Sequence, residues 1–137
     1  MSEENESNPI TLAGIDHIVL PAYDLEAMLG FYRDVLGCVL EWARPEIGLY
    51  HLRVGGSLID LMDRSGDGGE GPPGVVEHFA LALSEFDGEA ITKHLKTHGV
   101  AVDEIAMRFG ATGKGPSLYI KDPQGNAIEL KGPAEQD

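Results

Sequence analysis

The stretch Lys121-Asp-Pro-Gln-Gly-Asn-Ala-Ile-Glu-Leu-Lys131 runs from a tight turn into a short strand and sets one carboxylate, Glu129, between two apolar residues. Pro123 presets φ and Gly125 accepts positive φ, so residues 122–125 read as a turn whatever the protein does. Beyond the turn, Ile128 and Leu130 alternate with Glu129, which predicts a strand over residues 126–131 with one face in the core. The same pattern recurs in Ser57–Asp63, where Asp60 lies between Ile59 and Leu61. Two further strand-like runs each carry a histidine: His17 in residues 15–21 and His78 in residues 75–83.

The segments between these runs repeat in the same order. In the first half, Asp24 stands where an N-cap belongs, and Leu25, Met28, Leu29, Tyr32 and Leu36 recur at helical spacing up to a stop at Gly37. Val39–Arg44, Leu49–Val54 and Ser57–Asp63 follow as strands, the last two joined by a Gly55-Gly56 hairpin signal. Residues 64–74 hold five glycines and two prolines among charged residues, the composition of a linker. In the second half, Ser84 with Asp87 reads as a capping box that opens a helix through Ala90, Ile91 and Leu95 to Gly99. Strands are expected at 100–107, 117–121 and 126–131. The order predicts an α+β fold: a single domain over 13–132 made of two βαβββ modules, 13–63 and 75–132, whose curved mixed sheets surround a cleft. Residues 1–12 are expected to be a disordered acidic tail and 133–137 a second tail.

Composition narrows the partners. A chain of 137 residues suits one compact domain. Its net charge of −13 leaves no excess of Lys or Arg for phosphates, which argues against nucleic acid and anionic membranes and for a small molecule or another protein. The lone Cys38 permits no internal disulfide and reads as a small buried hydrophobe. No apolar run approaches the roughly 20 residues of a membrane span, and the N-terminus lacks the form of a signal peptide. The expected location is the cytoplasm.

His17 and His78 occupy matching positions in the first strand of each half, and Asp60 and Glu129 matching positions in the last. The second pair is further apart in sequence, and the extra residues are expected in the loop 108–116. If Ile18, Leu20, Ile59, Leu61, Phe79, Leu81, Ile128 and Leu130 pack beneath helices, all four polar groups project onto the opposite, concave faces. A lone strand histidine is more often structural than a ligand, but two imidazoles and two acids at paired positions reverse those odds. Buried unpaired they would be costly, whereas one divalent cation satisfies all four. The donor set suits Ni, Zn, Co, Mn or Fe without choosing among them.

Asp-His-Ile-Val-Leu at 16–20, Phe-Tyr-Arg-Asp-Val-Leu-Gly at 31–37 and Lys-Asp-Pro-Gln-Gly-Asn-Ala-Ile-Glu-Leu at 121–130, set in two βαβββ halves, resemble the vicinal oxygen chelate superfamily. That superfamily includes glyoxalase I, fosfomycin-resistance transferases, bleomycin-resistance proteins and extradiol dioxygenases. The resemblance implies that His17, His78 and Glu129 are metal ligands, with Asp60 where glyoxalase I has a glutamate as fourth ligand. It implies a homodimer in which each metal lies between the first half of one subunit and the second half of the other. It further implies a glyoxalase-type lyase or isomerase acting on vicinal oxygens through a metal-stabilised enediolate, with Glu129, and on the other face Asp60, as proton acceptor. An Fe(II) extradiol-type dioxygenase uses the same trio plus a pocket His or Tyr, for which His51 and Tyr119 are candidates. A non-catalytic drug-binding dimer is the remaining alternative. Fosfomycin-type transfer is disfavoured, since that family's cation-binding loop and C-terminal Arg-bearing segment are not found. Substrate contacts are expected from Tyr119, His51, Arg53 and, on a flexible lid over 108–116, Arg108 and Lys114.

Overall fold

The computed structural model describes residues 15–67 and 78–135. The expected tail at 1–12, most of the linker, the start of the strand at 75–77 and the last two residues lie outside the described residues. Two four-stranded mixed sheets make up the fold. In the first, β1 (His17–Ala22) runs parallel to β4 (Ser57–Asp63), followed by antiparallel β3 (Leu49–Val54) and β2 (Val39–Arg44). In the second, β5 (Phe79–Ala82) is parallel to β8 (Ala127–Lys131), then β7 (Gly113–Lys121) and β6 (Ala106–Gly110). The two orders, β1-β4-β3-β2 and β5-β8-β7-β6, are the same topology used twice.

Each crossover between the parallel strands is a helix capped in the same way. Asp24 accepts from the Ala27 N–H at the start of α1 (Leu25–Gly30), and Asp87 accepts from the Ala90 N–H at the start of α2 (Gly88–Thr97). Ser84 therefore does not open the second helix; the acid three residues on supplies the cap itself. The first helix runs on as a wider, π-type turn over Phe31–Val35 that brings Phe31 and Tyr32 into the core. Both helices end at a glycine in the left-handed region, Gly37 (φ 84°) and Gly99 (φ 73°).

Leu20, Ala22, Leu52, Ile59 and Leu61 from the first sheet and Leu118, Ile120, Ile128 and Leu130 from the second form one core with Met28, Phe31, Tyr32 and Leu95. Each such aliphatic or aromatic side chain contributes roughly 1.5–3 kcal/mol by leaving water. The Asp122 turn fastens the halves together. Gln124 donates from Nε2 to Pro21 O at 2.6 Å and its Oε1 accepts from the Tyr23 N–H. The buried Tyr32 hydroxyl donates to Asp122 Oδ2 at 2.8 Å.

The expected loop 108–116 is instead the β6–β7 hairpin, turning at Ala111 and Thr112. No lid is built there. The extra residues of the second half lie elsewhere: residues 100–105 separate Gly99 from β6 where Cys38 alone separates Gly37 from β2, and residues 122–126 replace the Gly55-Gly56 turn. Strand β6 accordingly begins at Ala106 rather than at residue 100, and β7 at Gly113 rather than Ser117.

Candidate functional site

Register decides which side chains share the face away from the helices. Val19, Asp60, His51 and Trp42 stand in one row across β1, β4, β3 and β2, with His17 two residues before Val19. In the second sheet Ala80, Glu129 and Tyr119 form the matching row, with His78 two residues before Ala80. The repetition thus reaches the neighbours of the carboxylates: His51 beside Asp60 is the counterpart of Tyr119 beside Glu129.

The two rows are satisfied differently. Glu129 is 6% exposed; Tyr119 donates to its Oε1 at 3.3 Å, while His78 Nε2 lies 3.8 Å from the same oxygen, beyond hydrogen-bond length. Glu129 Oε2 is buried without a hydrogen-bond partner. The His78 ring stands edge-on to Tyr119 with centroids 5.4 Å apart. In the first sheet, His51 Nδ1 donates to Asp60 Oδ1 at 2.8 Å, and His51 Nε2 is buried without a partner. His17 donates from Nδ1 to Asp16 Oδ2 at 2.7 Å, with Nε2 on the far side of the ring from that bond. That bond to the Asp16 carboxylate, aided by the field of Asp60, holds the His17 pKa above its ordinary value.

Among the described residues no three His, Cys, Asp or Glu side chains of one chain converge as a cation site. Each sheet carries half of the expected set: His17 and Asp60 on the first, His78 and Glu129 on the second. The donors nevertheless suit a divalent ion. A buried carboxylate with an orphaned oxygen and an imidazole too far away to bond it is a place where a cation removes a cost. A histidine whose other nitrogen is held by a carboxylate is the usual outer arrangement of a metal ligand.

The expected substrate contacts divide. His51 and Tyr119 face the concave side as expected. Arg53 is there too, but its Nε and Nη2 donate to Glu41 at 2.8 and 2.9 Å and hold the Glu41 carboxyl below its usual range. A bulge between Leu40 and Trp42 gives Glu41 that position. Arg108 donates to Ser117 O and Oγ at 2.9 and 2.8 Å and lies 4.9 Å from the Tyr119 ring centroid. Lys114 stands opposite Phe109, in the register that faces away from Glu129. The lid expectation placed it wrongly because a Gly-rich segment, taken for a loop, is a strand. Trp42 stacks on His51 with centroids 5.6 Å apart and is 59% exposed. The Asp60–His51 pair was missed in sequence because it follows from the β3–β4 register, which sequence spacing does not set.

The profile of the glyoxalase/bleomycin resistance protein/dioxygenase superfamily matches residues 14–130. The glyoxalase domain-containing protein RDO1 of Mycosarcoma maydis is 26% identical over 135 residues, covering 93% of this chain and 73% of that protein. The glutathione transferase FosA of Serratia marcescens is 28% identical over 120 residues, covering 87% and 80%. The crystal structure of virulence protein STM3117 from Salmonella typhimurium superimposes with a TM-score of 0.73 at 25% identity, covering 91% of this chain and all of that one.

Proposed function

From the premise that the chain belongs to the glyoxalase/bleomycin resistance protein/dioxygenase superfamily, we propose that it is a divalent-metal-dependent lyase or isomerase of glyoxalase type, working as a homodimer. The observation that carries this reading is the orphaned Glu129 Oε2 beside His78, on the concave face of a sheet whose duplicate presents His17. In this reading His17 of one subunit joins His78 and Glu129 of the other. Asp60, with one oxygen given to His51, is the weaker candidate for a fourth ligand. Three exposed apolar side chains on the first concave face, Val19 (45%), Val39 (65%) and Trp42 (59%), favour a second copy as cover.

A bound divalent ion supplies polarisation of two adjacent substrate oxygens. Glu129 then accepts the proton from the carbon between them, its position held by the Tyr119 hydroxyl. Tyr119 also favours a second reading: an Fe(II) extradiol-type dioxygenase requires a pocket hydroxyl or imidazole, and this one lies 3.3 Å from a ligand oxygen. Elemental analysis of the purified protein, paired with assays on a hemithioacetal and on catechol with oxygen uptake, separates the readings. Nickel, zinc or cobalt with hemithioacetal isomerisation supports the first, and iron with oxygen uptake the second. A protein that takes up no metal fits neither and leaves a binding dimer.

A further inference from the structure

Helix α2 carries two histidines that the reaction above does not use, on the side of the second sheet opposite its concave face. We propose that His94 and His98 together hold a late first-row divalent ion, copper(II) most tightly, at a site independent of the one on the concave faces.

Spacing, separation and orientation point the same way. His94 and His98 are four residues apart at the end of α2 and both are exposed. Side chains so spaced leave a helix within about 40° of each other, the arrangement by which a helical pair of histidines grips zinc. Their ring centroids lie 4.7 Å apart, with the planes tilted by 58°. With metal–nitrogen bonds of about 2.0–2.1 Å and a nitrogen about 1.15 Å from its ring centre, two imidazoles on one ion have centroids about 4.5 Å apart at a right angle and about 5.2 Å apart at the tetrahedral angle. The pair already stands at the separation a shared ion requires. His94 is also positioned in advance: its Nε2 donates to the Val35 carbonyl at 2.8 Å, which makes Nδ1 the nitrogen open to a cation. Ligating histidines usually commit their other ring nitrogen to a carbonyl or carboxylate in this way.

The surroundings set the class of ion. Among the described residues no third His, Cys, Asp or Glu joins the pair, so water or an incoming ligand completes the shell. Two imidazoles without a thiolate follow the general order of affinity, in which copper(II) exceeds nickel(II) and zinc(II). Lys93 and Lys96 lie at least about 100° round the helix from either histidine and do not share their face. His98 also lines a cleft of about 770 Å³ whose other charged members are Asp103, Lys121 and Asp122. Two acids against one lysine favour a cation there, as does the net charge of −13 on the whole chain.

The test titrates copper(II) into the full chain against a competing chromophoric chelator. One equivalent is expected to weaken by about a hundredfold in either His94→Gln or His98→Gln, and little further in the double variant, since a chelate is lost whole when one arm goes. Electron paramagnetic resonance of that equivalent should show two nitrogen ligands. Should His94→Gln, which also releases Val35, not fold, His98→Gln carries the test alone. Combining His98→Gln with Lys96→His returns an imidazole to the opposite side of the helix and should restore nothing. Copper binding unchanged by the substitutions, small losses that simply add in the double variant, or rescue by Lys96→His overturns the proposal. Metal held by His17, His78 and Glu129 is untouched by these variants, so its presence or absence bears on the proposed function alone.

Discussion

Asp122→Ala tests whether the turn that precedes the Glu129 strand is also the pin between the two halves. Asp122 is 4% exposed and accepts four hydrogen bonds: Oδ1 from the N–H groups of Gln124 and Asn126, both at 2.9 Å, and Oδ2 from the Tyr32 hydroxyl and Asn126 Nδ2, both at 2.8 Å. Tyr32 and Asn126 are fully buried, so their donors find no water when the acid is removed. Each bond to a charged acceptor contributes about 1.5–3 kcal/mol, and stranded donors cost a similar amount, but one carboxylate's bonds are not additive. A net loss of about 3–5 kcal/mol follows, a large part of the roughly 5–15 kcal/mol that holds a domain together. With a urea slope of about 2 kcal/mol/M the midpoint falls by about 2 M. Tyr32→Phe removes one donor and leaves Asn126 on the same oxygen, so it costs only about 1–2 kcal/mol. Chemical unfolding followed by circular dichroism reads both. A loss below about 1 kcal/mol for Asp122→Ala would refute the pin.

Three other outcomes follow. Under the proposed function, Glu129→Gln keeps the shape but removes the proposed proton acceptor, so hemithioacetal turnover should fall by at least about a hundredfold while size-exclusion chromatography shows the same assembly as the unmutated protein. Burial pushes the Cys38 thiol pKa up, so a thiol reagent at pH 8 should label it slowly until denaturant is added; fast native labelling would contradict its placement. Burial, then the neighbouring Asp122 charge, raises the Tyr32 pKa far above its ordinary value. Its contribution to stability is thus full below the unfolded pKa near 10 and lost as pH rises beyond it, and Tyr32→Phe should flatten the alkaline fall in the unfolding midpoint.

Strands β2, β3 and β4 were legible to the residue because Val39–Arg44, Leu49–Val54 and Ser57–Asp63 are bounded by turn residues, whereas β1, expected over residues 15–21, runs His17–Ala22. The second half was harder. Glycines at 110, 113 and 115 imitate a loop, yet Gly115 lies in β7 because the chain at Gly132 and Pro133 crosses too close for any side chain. Asp87 outcompeted Ser84 as cap, since local spacing could not say where the helix axis would start. Alternation placed His17, His78, Asp60 and Glu129 on the right faces, because period-2 geometry needs no tertiary knowledge. Pairings across strands were out of reach: that His51 bonds Asp60 and Arg53 bonds Glu41 depends on register and on the bulge in β2.

Co-expressing a His17→Ala chain with a Glu129→Ala chain and counting tightly bound metal in the isolated mixed dimer bears on the central claim most directly. If each ion is held by the first sheet of one subunit and the second sheet of the other, both homodimers bind none, and the mixed dimer regains one intact site, hence one ion per pair of chains. A mixed dimer as empty as its parents would place all ligands of a site within one chain, and parents that still bind tightly would remove His17 and Glu129 from the site altogether.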